Sequence, residues 1–415
     1  MAYGFFTKAE VESKSRPDGR VLSCSACGLY KDCKSPKMQP YGNFKKGILN
    51  IGETPSKTDD DQDKPWQGKT GRILQKAYKE LGIDLFEDCL NINAASCMPK
   101  DKSGNYRPPT NDELNNCRRF VLAAIEEYKP QVIVLFGNSA LYSVIGHRWK
   151  KDLNGITQWR GFTIPDRDFN AWICPTFHPS YIERSDQGAE MIVWMQDLER
   201  AMDKVDLALP QYNEPDIEVI TDLSVLRKEN IGWHSAGVEP MIAFDYETTG
   251  RKSQAEGHRI VSCAVADSED HAFVFLMPNT RAGRQPFVDL LADPKISKVG
   301  QNISFEETWS VVRLKQSVEN WEWDTMLASH TLDNRDGVTG LKFQTYVQFG
   351  VVDYSSEIDP YLKPADKKNG NAINRIFDLL KLPGGEDKLL LYNGLDVIYT
   401  YRLAMIQRDI IMLPF

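Results

Sequence analysis

The feature that most constrains this chain is a set of four cysteines arranged around one apolar run. Leu90-Asn91-Ile92-Asn93 leads into Ala94-Ala95-Ser96-Cys97-Met98-Pro99, with Cys24-Ser25-Ala26-Cys27 before it and Cys117 after it. Four thiolates can hold either zinc or an iron–sulfur cluster, so a fold that joins these segments could clamp the end of the run with metal. Asn93 stands four residues before Cys97, and its amide carries both a donor and an acceptor, which could read a flat heterocycle edge-on. The chain has eight cysteines, and in an intracellular protein such usage suggests metal ligation before disulfides. Cys89, Cys174 and Cys263 lie in apolar surroundings and read as core, whereas Cys33 is close enough to Cys27 to compete as a ligand.

A length of 415 residues accommodates two domains, each with its own core. No apolar run reaches the roughly 20 residues that span a bilayer, and the N-terminus lacks a signal-peptide core. The sequence therefore predicts a cytoplasmic protein with no membrane partner. A net charge of -8 argues against indiscriminate nucleic-acid binding. A local basic surface counts for more than the total, and residues 1–50 carry nine Lys/Arg against four Asp/Glu. The acidic cluster Asp59-Asp60-Asp61 with Asp63 could serve chemistry or metal binding.

Gly47-Ile48-Leu49-Asn50-Ile51 reads as a buried strand that exits into Gly52-Glu53-Thr54-Pro55-Ser56. Ile73, Leu74, Ala77, Tyr78 and Leu81 recur at helical spacing. Thr110-Asn111-Asp112-Glu113 has the form of a capping box, and the helix it opens places Leu114, Cys117, Val121, Ile125 and Tyr128 on one face. A second short strand runs from Gln131 to Phe136, followed by Gly137 and another helix. Alternating elements of these lengths predict an α/β domain with a mostly parallel sheet. Ligands of such sheets bind beyond the carboxyl ends of the strands, where Glu53, Asn93 and Gly137 all fall.

From about Cys24 to Arg184 these motifs resemble the iron–sulfur, or family 4, uracil-DNA glycosylases. The resemblance implies a uracil-DNA glycosylase-like α/β/α sandwich in which Cys24, Cys27, Cys97 and Cys117 hold a [4Fe–4S] cluster. Gly52-Glu53-Thr54-Pro55 resembles the family's Gly-Glu-x-Pro-Gly motif, with Ser56 in place of the second glycine. Asp59 falls where the family has a glutamate, and Trp66 where it has the phenylalanine that stacks on the flipped base. Asn93 matches the asparagine that reads uracil, and His178, in Phe177-His178-Pro179-Ser180, matches the histidine motif. Glycosylases take their base out of the stack, so an aromatic face must replace the lost stacking. A donor at His178 would stabilise the anion that uracil becomes, and a carboxylate at Asp59 or Glu53 would orient water or face the cationic sugar. A cross-linking subgroup of the family carries a reactive histidine between the third and fourth cysteines. No histidine stands there in this chain.

Leu209-Pro210-Gln211-Tyr212-Asn213-Glu214-Pro215 breaks the helical pattern of Met191, Trp194, Leu198 and Met202, which places a domain boundary between residues 1–212 and 213–415. Pro240 to Phe244 is a buried strand running into Asp245-Tyr246-Glu247, and alternation puts both carboxylates on one face. Strands are expected at Ile260–Ala266 and Ala272–Met277, then a helix from Pro286. Near the C-terminus, Tyr392 and Asp396 lie four apart on one helix face.

With Lys298-Val299-Gly300-Gln301-Asn302-Ile303-Ser304-Phe305-Glu306, this second half resembles the DEDD-type, tyrosine-subclass 3′–5′ exonuclease domain of family A DNA polymerases. The resemblance implies a ribonuclease H-like (DnaQ-like) fold and two Mg²⁺ or Mn²⁺ ions held by Asp245, Glu247 and Asp396. Glu306 stands where aspartate is commoner, Tyr392 would orient the attacking water, and Asp324 has a structural role. The reading is a DNA-processing enzyme acting on uracil-containing DNA and single-stranded 3′ ends, from a virus of bacteria and working in the host cytoplasm. The chain ends at Leu413-Pro414-Phe415, where a family A polymerase would continue, so a separate polymerase subunit is an expected partner. The alternative is the proofreading part of a split or truncated polymerase, whose first domain only senses uracil or grips DNA.

Overall fold

A computed structural model describes residues 24–185, 188–227, 240–364 and 371–412. Part of the basic stretch 1–50 and the terminal Leu413–Phe415 lie outside the described residues. The chain forms two compact units. The first comprises residues 1–210 and Tyr346–Asp353, and the second comprises Gln211–Thr345 and Tyr354–Phe415.

The first unit is built on a five-stranded sheet of β1 (Ile48–Gly52), β2 (Cys89–Asn93), β3 (Val132–Phe136), β4 (Ile164–Asp166) and β5 (Ala171–Thr176), in the order β2-β1-β3-β5-β4. All neighbours are parallel except β4 with β5. Every residue of these strands is buried, as expected when helices cover both faces of a parallel sheet. Register positions the chemistry. Gly52 lies opposite Asn93, and Phe136 opposite Thr176, so the segments carrying Glu53, Asn93, Gly137 and His178 leave the sheet along one edge. The helix Asn111–Tyr128 starts at the capping box, with Thr110 Oγ1 accepting from Glu113 N and the Glu113 carboxylate accepting from Thr110 N. Tyr346, far along the chain, belongs to this unit. Its hydroxyl donates to Asp166 Oδ2 at 3.2 Å, beside the buried Arg148–Asp166 ion pair of 2.6 Å.

The second unit has six strands, β6 (Asp216–Val219), β7 (Met241–Thr248), β8 (Ile260–Ala266), β9 (His271–Leu276), β10 (Ser297–Gly300) and β11 (Trp321–Asp324), in the order β11-β10-β7-β8-β9-β6. β7, β8 and β9 form an antiparallel meander, while β6, β10 and β11 pair in parallel. The long helix Gly385–Met412 packs on the meander, burying Leu390, Val397, Ile398 and Ala404 against Ala243, Ala264 and Val274. The helix expected from Pro286 begins at Arg281, because the Thr280 hydroxyl accepts from Gly283 N and caps it, and Pro286 lies inside.

Candidate functional site

In the first unit, Glu53 leaves β1 with both carboxylate oxygens engaged. Tyr106 Oη donates to one at 2.5 Å and Ser139 Oγ to the other at 2.8 Å. Across the strand end, a Cβ placed on Gly52 would lie 2.6 Å from Asn93 Oδ1 and 2.9 Å from Trp66 Cζ2. Glycine is thus required for the buried amide and the indole to converge there. Trp66 is buried in a backbone conformation with φ 61°, and its ring lies 5.5 Å from Phe136 and 5.6 Å from His178. The Trp66 Nε1 donor is buried without a partner.

His178 precedes the helix Pro179–Arg184 and caps it: Nδ1 accepts from Ser180 N at 3.2 Å. An acceptor at Nδ1 leaves the proton of a neutral ring on Nε2. Burial pushes the imidazole down to about 4, against the opposing pull of Glu53, so the ring is neutral at pH 7. Gly137 makes room for it, having φ 81° and a Cβ position 3.0 Å from His178 Cβ.

Asp59 is held by backbone amides. It is buried at the third position of the helix Lys57–Gln62, accepts from Ser56 N at 2.8 Å, and with its other oxygen accepts from Gln67 N at 2.6 Å. Both oxygens are therefore committed to backbone amides beside Trp66. Ser56 and Asp59 form a capping box, with Asp59 N donating to Ser56 Oγ in return.

Cys24, Cys27, Cys97 and Cys117 line one cavity with Lys37, Ser96 and Phe120. Lys37 N and Ser96 N approach the sulfurs of Cys97 and Cys117 at 3.2 Å each, and Arg119 Nη2 approaches Cys24 at 3.5 Å. Burial raises the Cys27 and Cys117 thiols and takes Cys97 to about 12. The N–H groups aimed at sulfur stabilise thiolates, so these sulfurs suit a metal that replaces their protons. Cys33 does not line this cavity, although its thiol interacts with that of Cys97, and Cys89, Cys174 and Cys263 are buried core residues.

In the second unit, Asp245 and Glu247 on β7 meet Asp396 of the C-terminal helix. Their ligand oxygens lie within 4.8 Å of one another. Asn393 Nδ2 donates to Asp245 Oδ2 at 2.9 Å and its Oδ1 accepts from Ser262 at 3.0 Å, so the amide fixes one carboxylate. Burial, then repulsion from Asp396, takes Asp245 up to about 8; burial, then Asp245, drives Glu247 well above the carboxylate range. Three carboxylates pressed together in a poorly solvated place fit a divalent cation.

Glu306 is 2% exposed and one of its oxygens has no partner. It stands outside the close trio, although Asp245 is the second cause, after burial, of its raised pKa. Asp324 accepts from Asn302 N, Ile303 N, Met326 N and Leu327 N at 2.9–3.2 Å, tying the start of the Glu306 helix to the next one. Tyr392 is buried, its ring 6.1 Å from that of Tyr354. Sequence reasoning missed Lys342 and Tyr354, which both contact Asp396 Oδ1, and Tyr106, Ser139 and Asn393. Only Asn393, beside Tyr392, lay next to a recognised motif.

Residues 39–199 match the uracil DNA glycosylase superfamily. The type-4 uracil-DNA glycosylase of Thermotoga maritima is 34% identical over 183 residues, covering 44% of this chain and 89% of that protein. The chain belongs to the type-4 uracil-DNA glycosylase family. The chain carries a second domain: residues 233–410 match the 3′–5′ exonuclease family associated with DNA polymerase A. A DNA polymerase of Bacillus phage SP01 is 27% identical over 177 residues, covering 42% of this chain and 17% of the polymerase. Escherichia coli RNase D aligns with a TM-score of 0.34 and 18% identity, covering 48% of this chain and 47% of that one. The matches over residues 39–199 and 233–410 make the protein a DNA-processing enzyme that joins a type-4 glycosylase domain to a 3′–5′ exonuclease domain. No helix among the described residues is long and apolar enough to cross a membrane.

Proposed function

We propose that a first domain, residues 1–212, excises uracil from DNA and that a second, residues 213–415, degrades single-stranded 3′ ends. The observation that carries the first reading is the neutral His178 with its Nε2 proton free to donate, close to Trp66 and across the sheet edge from Asn93. Asn93 accepts from N3–H of uracil and donates to O4, a pattern cytosine mismatches. Trp66 supplies the aromatic face for the flipped base. As the C1′–N1 bond breaks, its electron pair goes to the base, and Nε2–H donates to the charge developing on O2. Glu53, held by Tyr106 and Ser139, faces the cationic sugar and orients the water that attacks C1′. Asp59, buried and bound by the backbone amides of Ser56 and Gln67, shapes the loop bearing Trp66, whereas Glu53 is only half-buried and keeps lone pairs beyond those its two hydroxyl partners use.

The four cysteines fit a [4Fe–4S] cluster better than zinc. Tetrahedral zinc with Zn–S of about 2.3 Å brings its sulfurs within roughly 4 Å of one another. Here the four cysteines line one cavity, and the similarity to type-4 glycosylases supports the larger four-iron cluster. The cluster would brace the segment from Asn93 to Cys97.

In the second unit, Asp245, Glu247 and Asp396 would hold the divalent ions, Glu306 would complete the set, and the Tyr392 hydroxyl would orient the attacking water. Two bound Mg²⁺ or Mn²⁺ ions supply an activated water and stabilise the leaving 3′ oxygen. The similarity to a phage DNA polymerase supports work beside a polymerase in the cytoplasm of an infected cell. A 5′-labelled uracil oligonucleotide tests both activities. In EDTA, alkali-sensitive sites should form at uracil without shortening, and Mg²⁺ should add shortening from the 3′ end. Absence of sites refutes excision, leaving uracil binding as the role of the first unit. Absence of shortening refutes the exonuclease site.

A further inference from the structure

Helix Leu341–Phe349 places the Lys342 ammonium directly against Asp396 Oδ1, and the Tyr354 hydroxyl donates to the same oxygen at 2.6 Å. The ammonium also lies 4.0 Å from the ring centre of Tyr354 and 4.2 Å from that of Tyr392. Its side chain is 15% exposed. Two aromatic faces attract a cation electrostatically and leave it few other places to go. The lysine therefore occupies a built seat. The same charge acts on Asp245 and Glu247, drawing both carboxyls downward against burial and mutual repulsion.

We propose that Lys342 is a positioning residue of the exonuclease. In the metal-free protein its ammonium holds Asp396 in place and balances the carboxylate cluster, and a divalent ion must displace it from Asp396 to bind. The inference rests on the metal-binding reading of Asp245, Glu247 and Asp396 given above. Two cations cannot share one carboxylate oxygen at contact distance without strong repulsion. The ammonium and the phenol already satisfy that oxygen, so metal entry exchanges one cation for another and does not fill a bare anionic hole. The seat would thus set how much metal the exonuclease needs, and would keep Asp396 ordered when metal is absent.

The test is Mn²⁺ binding to the full chain, read by electron paramagnetic resonance of free Mn²⁺, with urea unfolding measured in EDTA and in Mn²⁺. Lys342→Gln keeps a donor to Asp396 but removes the charge. It should bind Mn²⁺ about tenfold more tightly than wild type while unfolding at lower urea in EDTA, a deficit that Mn²⁺ abolishes. Lys342→Arg and Tyr354→Phe keep the charge and should bind Mn²⁺ within about twofold of wild type. Affinity in Lys342→Gln that is unchanged or weaker overturns the inference, as does equal tightening in Tyr354→Phe. If Lys342→Gln does not fold in EDTA, recovery of folding by Mn²⁺ supports displacement and failure to recover refutes it. Wild-type protein with no Mn²⁺ site that Asp245→Ala removes would bring down the metal reading itself, a result distinct from the others.

Discussion

Replacing Gly52 by alanine tests the uracil site through a single methyl group. The new Cβ would lie 2.6 Å from Asn93 Oδ1 and 2.9 Å from Trp66 Cζ2, whereas ordinary contact begins at 3.4 Å. The amide oxygen must then retreat by about 0.8 Å and the indole by about 0.5 Å, as the differences between those distances require. Neither move is free, because both side chains are buried and protein interiors are close-packed. Overpacking on this scale costs roughly 1–3 kcal/mol, which a domain of ordinary stability survives. The functional cost is larger, since misplacing a reacting partner by about 1 Å can lower a rate on the order of 10²-fold. Single-turnover excision of uracil from a labelled oligonucleotide in EDTA should therefore slow by about two orders of magnitude. Shortening of a uracil-free oligonucleotide in Mg²⁺ should stay at the wild-type rate. A Gly52→Ala protein that excises uracil within threefold of wild type would show that Asn93 and Trp66 do not form the base-reading surface.

Three further outcomes follow from the same geometry. His178 holds its proton only below about 4 when folded but near 6.5 when unfolded; the unfolded state thus binds more protons in between. Stability of the first unit should be flat above pH 6.5 and fall by up to about 3 kcal/mol toward pH 4, a slope in the urea midpoint that His178→Asn removes. Glu306→Gln should cut the Mg²⁺-dependent exonuclease rate at least about 10²-fold while raising the urea midpoint in EDTA, because it removes a buried carboxylate beside Asp245; unchanged activity with lowered stability would refute its place in the site. Cys97→Ser should abolish the visible absorbance and iron content expected of a [4Fe–4S] protein, Cys33→Ser should not, and stoichiometric zinc in anaerobically prepared wild type would refute the iron assignment.

The sequence alone carried the main strand ends and the spacing of the candidate site residues, because these rest on short-range patterns. Apolar runs ending in Gly52, Asn93 and Phe136, the alternation of Asp245 and Glu247, and the four-residue step from Tyr392 to Asp396 are fixed by strand and helix periods. The Thr110–Glu113 box is equally local. What the tertiary structure alone decided is the set of partners around those groups. Glu53 is clamped by hydroxyls from Tyr106 and Ser139, Asp59 spends its second oxygen on Gln67 N, and Asp396 is met by Lys342 and Tyr354 from 54 and 42 residues away. Tyr346 joins Asp166 of the first unit from 180 residues away. Nothing in periodicity or capping encodes such pairings, because they arise when loops and helices from distant segments close over the ends of the strands. They determine which carboxylates remain open to chemistry and which serve the fold.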